Sequence, residues 1–400
     1  VTGDDAIYVY GFGDNISVTG GSTITGSSSG IRLDSVGNNT TLLISDSTVQ
    51  ATAGDGIFTY AGDLSGNTIT VTDGAIVTGS DDGIDTHHSM AADITISGTG
   101  TQVSGGNTGV RTGDTDLDGP GSNVVLRVSD GALVHGDDTG IVTSEAGSGT
   151  VEIDLSSGAG VSGGVTGINA SMTPNTTINI AGATVTAGVT GILLTDNNQL
   201  NISAGALINS DNAIVLAGNA DAATVDITDS TINGTTSLLA ITGQNATNNV
   251  SFTNSIAHGA ITSASDAAQT VSMDHTAWSG SASQSGTGAL NLKIGNASAW
   301  VNTADTSVSS VTLSGGSALT MDGGNINTTT LSDGSSSSTT PLAATDSAAS
   351  TIYSTWNAAA GSAYVLTADT AIGTFNTGVT SSSSGAAGDM TGDTIIHVDD

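Results

Sequence analysis

A phrase built on Gly-Ile returns along the chain at an interval of about 26 residues, and no other feature narrows the fold as far. It reads Gly30-Ile31-Arg32-Leu33-Asp34, then Gly56-Ile57-Phe58-Thr59-Tyr60, Gly83-Ile84-Asp85-Thr86-His87 and Gly109-Val110-Arg111-Thr112. It continues as Gly140-Ile141-Val142-Thr143, Gly167-Ile168-Asn169-Ala170 and Gly191-Ile192-Leu193-Leu194. A fixed period of this length marks a solenoid, in which each coil buries its face only against its neighbours. Strand side chains alternate, so the first apolar residue of each copy and the residue two places on point inward. Two outward columns follow: Tyr8, Arg32, Phe58, Asp85, Arg111, Val142 and Asn169, and beside it Tyr10, Asp34, Tyr60 and His87.

Two more periodic sets lie between the Gly-Ile copies. One alternates apolar and polar residues in the half-buried strand pattern, as in Ile69-Thr70-Val71, Ile94-Thr95-Ile96, Val151-Glu152-Ile153 and Ile178-Asn179-Ile180. The other follows after a turn of small residues, as in Thr48-Val49, Ile76-Val77, Gln102-Val103 and Leu133-Val134. Three short strands per period, with no helical spacing and no helix caps, predict an all-β, three-sided parallel β-helix. Beyond about residue 230 the Gly-Ile column fades and the coils become shorter and richer in Ser, Thr and Asn.

Composition excludes several function classes. The chain holds 37 acidic residues against 4 basic ones, a formal charge of −33. Nucleic acid is therefore not a partner, because phosphate contacts need Lys and Arg. An anionic membrane surface is disfavoured for the same reason. Aromatics make up 3% of the chain, so Ala, Val, Ile and Leu must fill the interior in thin layers. Disorder does not fit, since charged residues are only 10% and the apolar ones keep strand spacing. Cysteine is absent, which removes a disulfide framework and suits passage through an oxidising periplasm. With a start at Val1, any signal peptide has been removed or was never part of this sequence, and the end at Ile395–Asp400 reads as a strand cut short.

One coil carries an insertion, Gly113–Ser122, with carboxylates at Asp114, Asp116 and Asp118. Alternating carboxylates invite a calcium reading. Counted from Asp114, however, the twelfth position of such a loop is Val125 where a Glu is needed, so a solvated acidic loop is expected, with no metal and no cofactor.

The texture changes near residue 270. Thr276-Ala277-Trp278-Ser279-Gly280 is followed by Ser298-Ala299-Trp300, then Asp305-Thr306-Ser307-Val308 and Val311-Thr312-Leu313-Ser314-Gly315-Gly316. These words resemble the junction near the C-terminal end of type V autotransporter passenger domains, the AIDA and pertactin group, over about residues 270–330. Asp305-Thr306-Ser307 and Val311 depart from the tightest form of the pattern. The resemblance implies a right-handed β-helix passenger over 1–333 and a truncated C-terminal β-helix or autochaperone-like segment over 334–400. It also implies export through the periplasm and a location on the bacterial surface or outside the cell, by way of an outer-membrane β-barrel that these residues do not contain.

Three kinds of chemistry compete for the outward face. Polysaccharide-cleaving β-helix enzymes gather carboxylates and a basic residue on one face, and Arg32, Arg111, Asp34, Asp85 and Asp114 are the candidates here. Arg32 and Arg111 stand three coils apart, about 14 Å, too far to act on one bond. Asp34 and Asp85 are two coils apart, near the upper limit of about 9.5 Å for a glycosidase pair. An enzyme is therefore not expected. His87 and His88 alternate in direction, so they do not form a metal pair.

Binding fits better. Tyr8, Tyr10, Phe58 and Tyr60 are four of the chain's aromatics (3 Trp, 5 Tyr and 4 Phe), and they fall in adjacent outward columns of the first coils. Aromatic faces stack on sugar rings, while Asp, Asn and Arg bond to hydroxyls. The expected ligand-binding set is Tyr8, Tyr10, Arg32, Asp34, Phe58, Tyr60, Asp85, His87, Arg111, Asp114 and Asn169. The family resemblance implies an adhesin that binds host glycans, including glycosaminoglycans, and a matrix protein such as fibronectin. Self-association through polar ladders, giving cell aggregation and biofilm, is the alternative, and a polysaccharide lyase or hydrolase is the second.

Overall fold

The computed structural model describes residues 1–11, 13–35, 40–61, 66–88, 91–112, 123–143, 149–173, 175–218, 221–243, 245–334, 349–357, 362–373, 375–380 and 395–398. Every regular element among them is a strand. The chain divides into two compact units, Val1–Thr224 and Val225–Asp400.

The first unit is a parallel β-helix with three strands per coil. A representative coil runs Thr41–Ser45, Thr48–Ala51 and Ile57–Ala61. Each strand pairs with its counterpart one coil on, which makes three parallel ladders. In the first ladder Leu42, Ile69, Ile94, Leu126, Ile153 and Ile178 stand in register. In the second, Val49, Val77, Val103, Val134, Val161 and Val185 do so. The Gly-Ile phrase forms the third, through Ile31, Ile57, Ile84, Val110, Ile141, Ile168 and Ile192. All of these side chains are buried. Burying a Val or Ile side chain stabilises by about 1.5–3 kcal/mol, so repetition over coils supplies the core that aromatic residues do not.

The glycine of the phrase is required by close approach. A Cβ built on Gly109 falls 2.6 Å from the Gly140 carbonyl oxygen and 2.7 Å from Val134 Cγ1. Gly30, Gly56, Gly83, Gly140 and Gly167 meet the next coil in the same way. Another sequence column has a conformational cause. Between the first and second ladders Asp46, Asp73 and Asp130 have φ of 46°, 56° and 56°. Asp and Asn tolerate this left-handed region better than other non-Gly residues, so part of the acidic excess is turn chemistry.

The second unit is also a parallel β-solenoid, with shorter coils. Side-chain hydrogen bonds across its coils span 25 residues between Ser251 and Asp226, then 22 between Asn296 and Asp274 and 20 between Thr312 and Ser332. The strand Ile256–Ser263 pairs with both Ala277–Ser279 and Ala282–Gln284, so one continuous strand covers what the next coil splits into two. The tryptophans of the family-like words point inward. Trp278 and Trp300 are in register and buried, and their rings stack at 4.7 Å with 14° between planes. Each Nε1–H donates to a backbone carbonyl, that of Gly259 at 3.0 Å and that of Gly280 at 2.8 Å. The ladders continue into the C-terminal segment: Ile326–Ser332 pairs in parallel with Leu366–Ile372, and Ala318–Met321 with Thr351–Asn357. An antiparallel pairing joins Trp356 to Ala363.

Two stability predictions follow from this packing. Gly109→Ala overpacks the corner and should destabilise the first unit by about 1–3 kcal/mol in urea unfolding, whereas Asp130→Gly should cost a few tenths or less. Trp300→Ala removes half of the stack and should cost about 3–5 kcal/mol, read as an earlier loss of the tryptophan fluorescence transition.

Candidate functional site

The outward side of the third ladder carries the predicted columns. Backbone register places Tyr8, Arg32, Phe58, Asp85, Arg111, Val142 and Asn169 in one row. In the adjacent row Tyr10, Asp34 and Tyr60 are in register, but the next member is His88, not His87. The register shifts by one between Phe58 and Tyr60 against the strand Asp82–His88. One extra residue in the strand Asp82–His88 shifts the backbone register, so His88 rather than His87 stands opposite Tyr60.

The first three coils build a rigid, open platform. The Arg32 guanidinium lies between two rings, with Cζ 5.8 Å from the Tyr8 centroid and 5.2 Å from the Phe58 centroid. Both distances lie within cation–π range. Asp34 binds this pair from the neighbouring row. It accepts from Arg32 Nε–H at 3.0 Å and from the Tyr8 hydroxyl at 2.8 Å. The bond to Asp34 raises the Tyr8 phenol above its ordinary pKa. Tyr8, Tyr10 and Tyr60 are 52%, 70% and 51% exposed, and Phe58 is half-buried. Each ring is fixed by a strand rather than a loop, so the platform needs little ordering to hold a ligand.

Asp85 differs from expectation. It is 3% exposed and takes no part in an open groove. It instead faces Asp55 and Asp82, and oxygens of the three carboxylates lie within 4.8 Å of one another. The reason is the coil corner. Asp55 and Asp82 occupy the position just before Gly56 and Gly83, where the chain turns inward, and they enclose Asp85 from the side. Their carboxylates cap the next coil: Asp55 Oδ1 accepts from the Asp82 N–H at 3.0 Å, and Asp82 Oδ1 from the Thr108 N–H at 3.1 Å. Reading the columns outward from the Gly-Ile phrase missed both residues. The signal was an Asp before Gly in these coils where others carry Ser29, Thr108 or Thr139.

Arg111 is drawn into the same cluster, its Nε 3.1 Å from Asp82 Oδ2, so it does not work alongside Arg32. Arg127, outside both rows, pairs with Asp93 at 2.8 Å. Asn169 is half-buried, and its Oδ1 accepts from the Ser171 N–H at 3.0 Å, which holds the following turn. Asp114 and the 113–122 loop lie outside the described residues, as does the side chain of His87.

Chemically, the two clusters differ. The Tyr8–Arg32–Phe58 platform offers exposed ring faces beside a compensated ion pair. The aspartate trio is a carboxylate cluster in which Asp82 and Asp85 are buried and Asp55 is half-buried. Burial pushes Asp55 up to about 7, against the lowering effect of its bond from the Asp82 backbone. Burial likewise pushes Asp82 to about 6, and the Arg111 charge opposes this. The three side chains are also the group, among the described residues, whose oxygens come close enough to share a divalent ion.

No family model and no curated protein matches the chain. Among solved structures it is similar to the autotransporter UpaB from E. coli strain CFT073, at 15% identity and a TM-score of 0.40, over 95% of this chain and 89% of that one.

The raised carboxyls set a pH dependence. A carboxyl with a native pKa above its unfolded value binds more protons in the folded state between the two, so stability falls as pH rises through that window. The first unit should therefore be more stable at pH 5 than at pH 8, with most of the loss between about pH 4 and 7. Replacing Asp55 by Asn should flatten the melting temperature against pH over this range, as differential scanning calorimetry would read.

Proposed function

We propose that this chain is the β-helical passenger of a bacterial cell-surface autotransporter and acts as an adhesin for host glycans. The observation that carries the binding half is the exposed platform of Tyr8, Tyr10 and Tyr60 around the Arg32–Asp34 pair. Packing does not require large rings on that side of the ladder, and exposed aromatic patches of this kind mark interaction surfaces. The words around Trp278 and Trp300, with the parallel β-helix, support the passenger half and with it the surface location.

The glycan class we assign to the platform is the glycosaminoglycans, with fibronectin as a protein partner along the same β-helix. A charge of −33 opposes a sulfated polymer. Affinity at the platform therefore rests on ring stacking and hydroxyl hydrogen bonds, and a long polymer adds avidity by engaging more than one site. The chain binds without cutting. The aspartate trio favours a second reading, polysaccharide cleavage, because carboxylates about 5 Å apart are what a retaining glycosidase uses. The engagement of Asp55 and Asp82 with backbone N–H groups favours a structural role for them.

A glycan array at physiological salt tests the proposal. Selective retention of glycosaminoglycans is expected, weakened at least about tenfold by the double variant Tyr8→Ala/Tyr60→Ala and by Arg32→Ala. Arg111→Ala should lower the melting temperature and leave binding nearly intact. No retention of any glycan overturns the glycan half of the reading. New reducing or unsaturated ends in the incubated polymer, lost with Asp82→Asn, would turn the protein into an enzyme.

A further inference from the structure

A concavity of about 620 Å³ lies on a different face of the first unit, the outward side of the second ladder. Two outward rows cross it. In one, Gln102, Leu133 and Gly160 stand in register on successive coils; in the other, His135 is opposite Ser162. Gly160 opens the floor, because its neighbours in the row carry side chains. Leu133 leans over the opening: a Cβ on Gly160 would fall 2.6 Å from Leu133 Cδ2. Leu133 is 47% exposed and forms an apolar wall. Across from it the His135 ring is held at both nitrogens, with Nδ1 2.9 Å from Ser162 Oγ and Nε2 3.2 Å from Asp137 Oδ1.

The chemistry of the lining narrows the ligand. Among the described residues no Asp, Glu, Lys or Arg lines the concavity, in a chain that holds 37 acidic residues. The nearby carboxylate of Asp137 is engaged by His135, and the field of the chain repels a polyanion. An extended peptide has no free strand edge to join, since the parallel ladders use the backbone groups on both sides of these strands. What remains is an uncharged ligand with an apolar face and a hydroxyl rim. Sugar rings have that form; the amide of Gln102 and the remaining hydrogen-bonding capacity of the Ser162 hydroxyl supply rim contacts, and the imidazole, held at both nitrogens, offers its ring face. The rows repeat at the coil spacing of about 4.8 Å, close to the advance of one sugar residue along a polysaccharide.

We propose that this concavity is a subsite for one or two residues of an uncharged glycan. The proposal rests on reading the chain as a glycan binder, and it adds a second face with different ligand chemistry. The two are separable by variant: loss with the tyrosine pair reports on the aromatic platform, loss with His135→Ala on this subsite.

The test uses the full chain with cellopentaose, maltopentaose and chitopentaose, each titrated by saturation-transfer NMR. At least one is expected to bind. Gly160→Leu, which fills the floor, and His135→Ala, which removes the exposed, oriented ring, should each weaken it at least about tenfold. Tyr8→Ala/Tyr60→Ala should leave it unchanged. Circular dichroism of the two concavity variants checks that both remain folded, and His135→Ala alone keeps the test decisive if Gly160→Leu does not. Binding of none of the three oligosaccharides overturns the proposal. So does binding that is lost with the tyrosine pair but kept in His135→Ala. Dimerisation in analytical ultracentrifugation that His135→Ala abolishes would assign the concavity to a second copy instead.

Discussion

Close stacking of successive coils at the Gly-Ile corner is the constraint on which the first unit depends. Neighbouring strands sit about 4.8 Å apart, and at Gly109 the next carbonyl leaves no room for a Cβ. Once that corner is fixed, the register of the residues beside it is fixed, up to a shift such as the one between Phe58 and Tyr60. Inward residues then meet their own kind from coil to coil, Ile on Ile in the third ladder and Val on Val in the second. Outward residues are aligned by the same constraint whether or not they touch. The functional rows are thus a by-product of how the core is stacked.

The same geometry explains why one residue type has two fates. Asp34 stands on the outward side and compensates Arg32 and the Tyr8 hydroxyl near solvent. Asp55 and Asp82 stand one position before the corner glycine, where the chain turns in, and lose water. Their own backbone hydrogen bonds hold successive coils together, so the cluster links charge to coil stacking. Arg32 and Arg111 diverge for the same reason. Arg32 has aromatic neighbours above and below it, whereas Arg111 has a buried carboxylate within reach.

Much of the candidate face could be read from the residue order. The rows through Tyr8, Arg32 and Phe58, and through Tyr10, Asp34 and Tyr60, follow from the period of the phrase and the alternation of a strand. The burial of Asp85 could not be read this way, because Asp55 and Asp82 that enclose it belong to corner positions outside the alternation. The exchange of His87 for His88 rests on a one-residue shift that leaves no mark in composition. The words around Trp278 and Trp300 were legible as a family-like pattern, yet nothing in their order tells that the two rings stack in the core of the second unit.

By itself, the sequence determined the fold class, the coil length and the identity of the inward columns. These depend on local alternation and on a repeat that each coil carries within itself. It also determined the left-handed turns at Asp46, Asp73 and Asp130, where the turn chemistry is local. Only the tertiary structure decided which outward groups stay open to a ligand and which are enclosed. It set Arg111 on Asp82, buried Asp85 and opened a concavity over Gly160. Those outcomes depend on how residues about 26 positions apart are brought within contact, and that is a property of the stack rather than of any single coil.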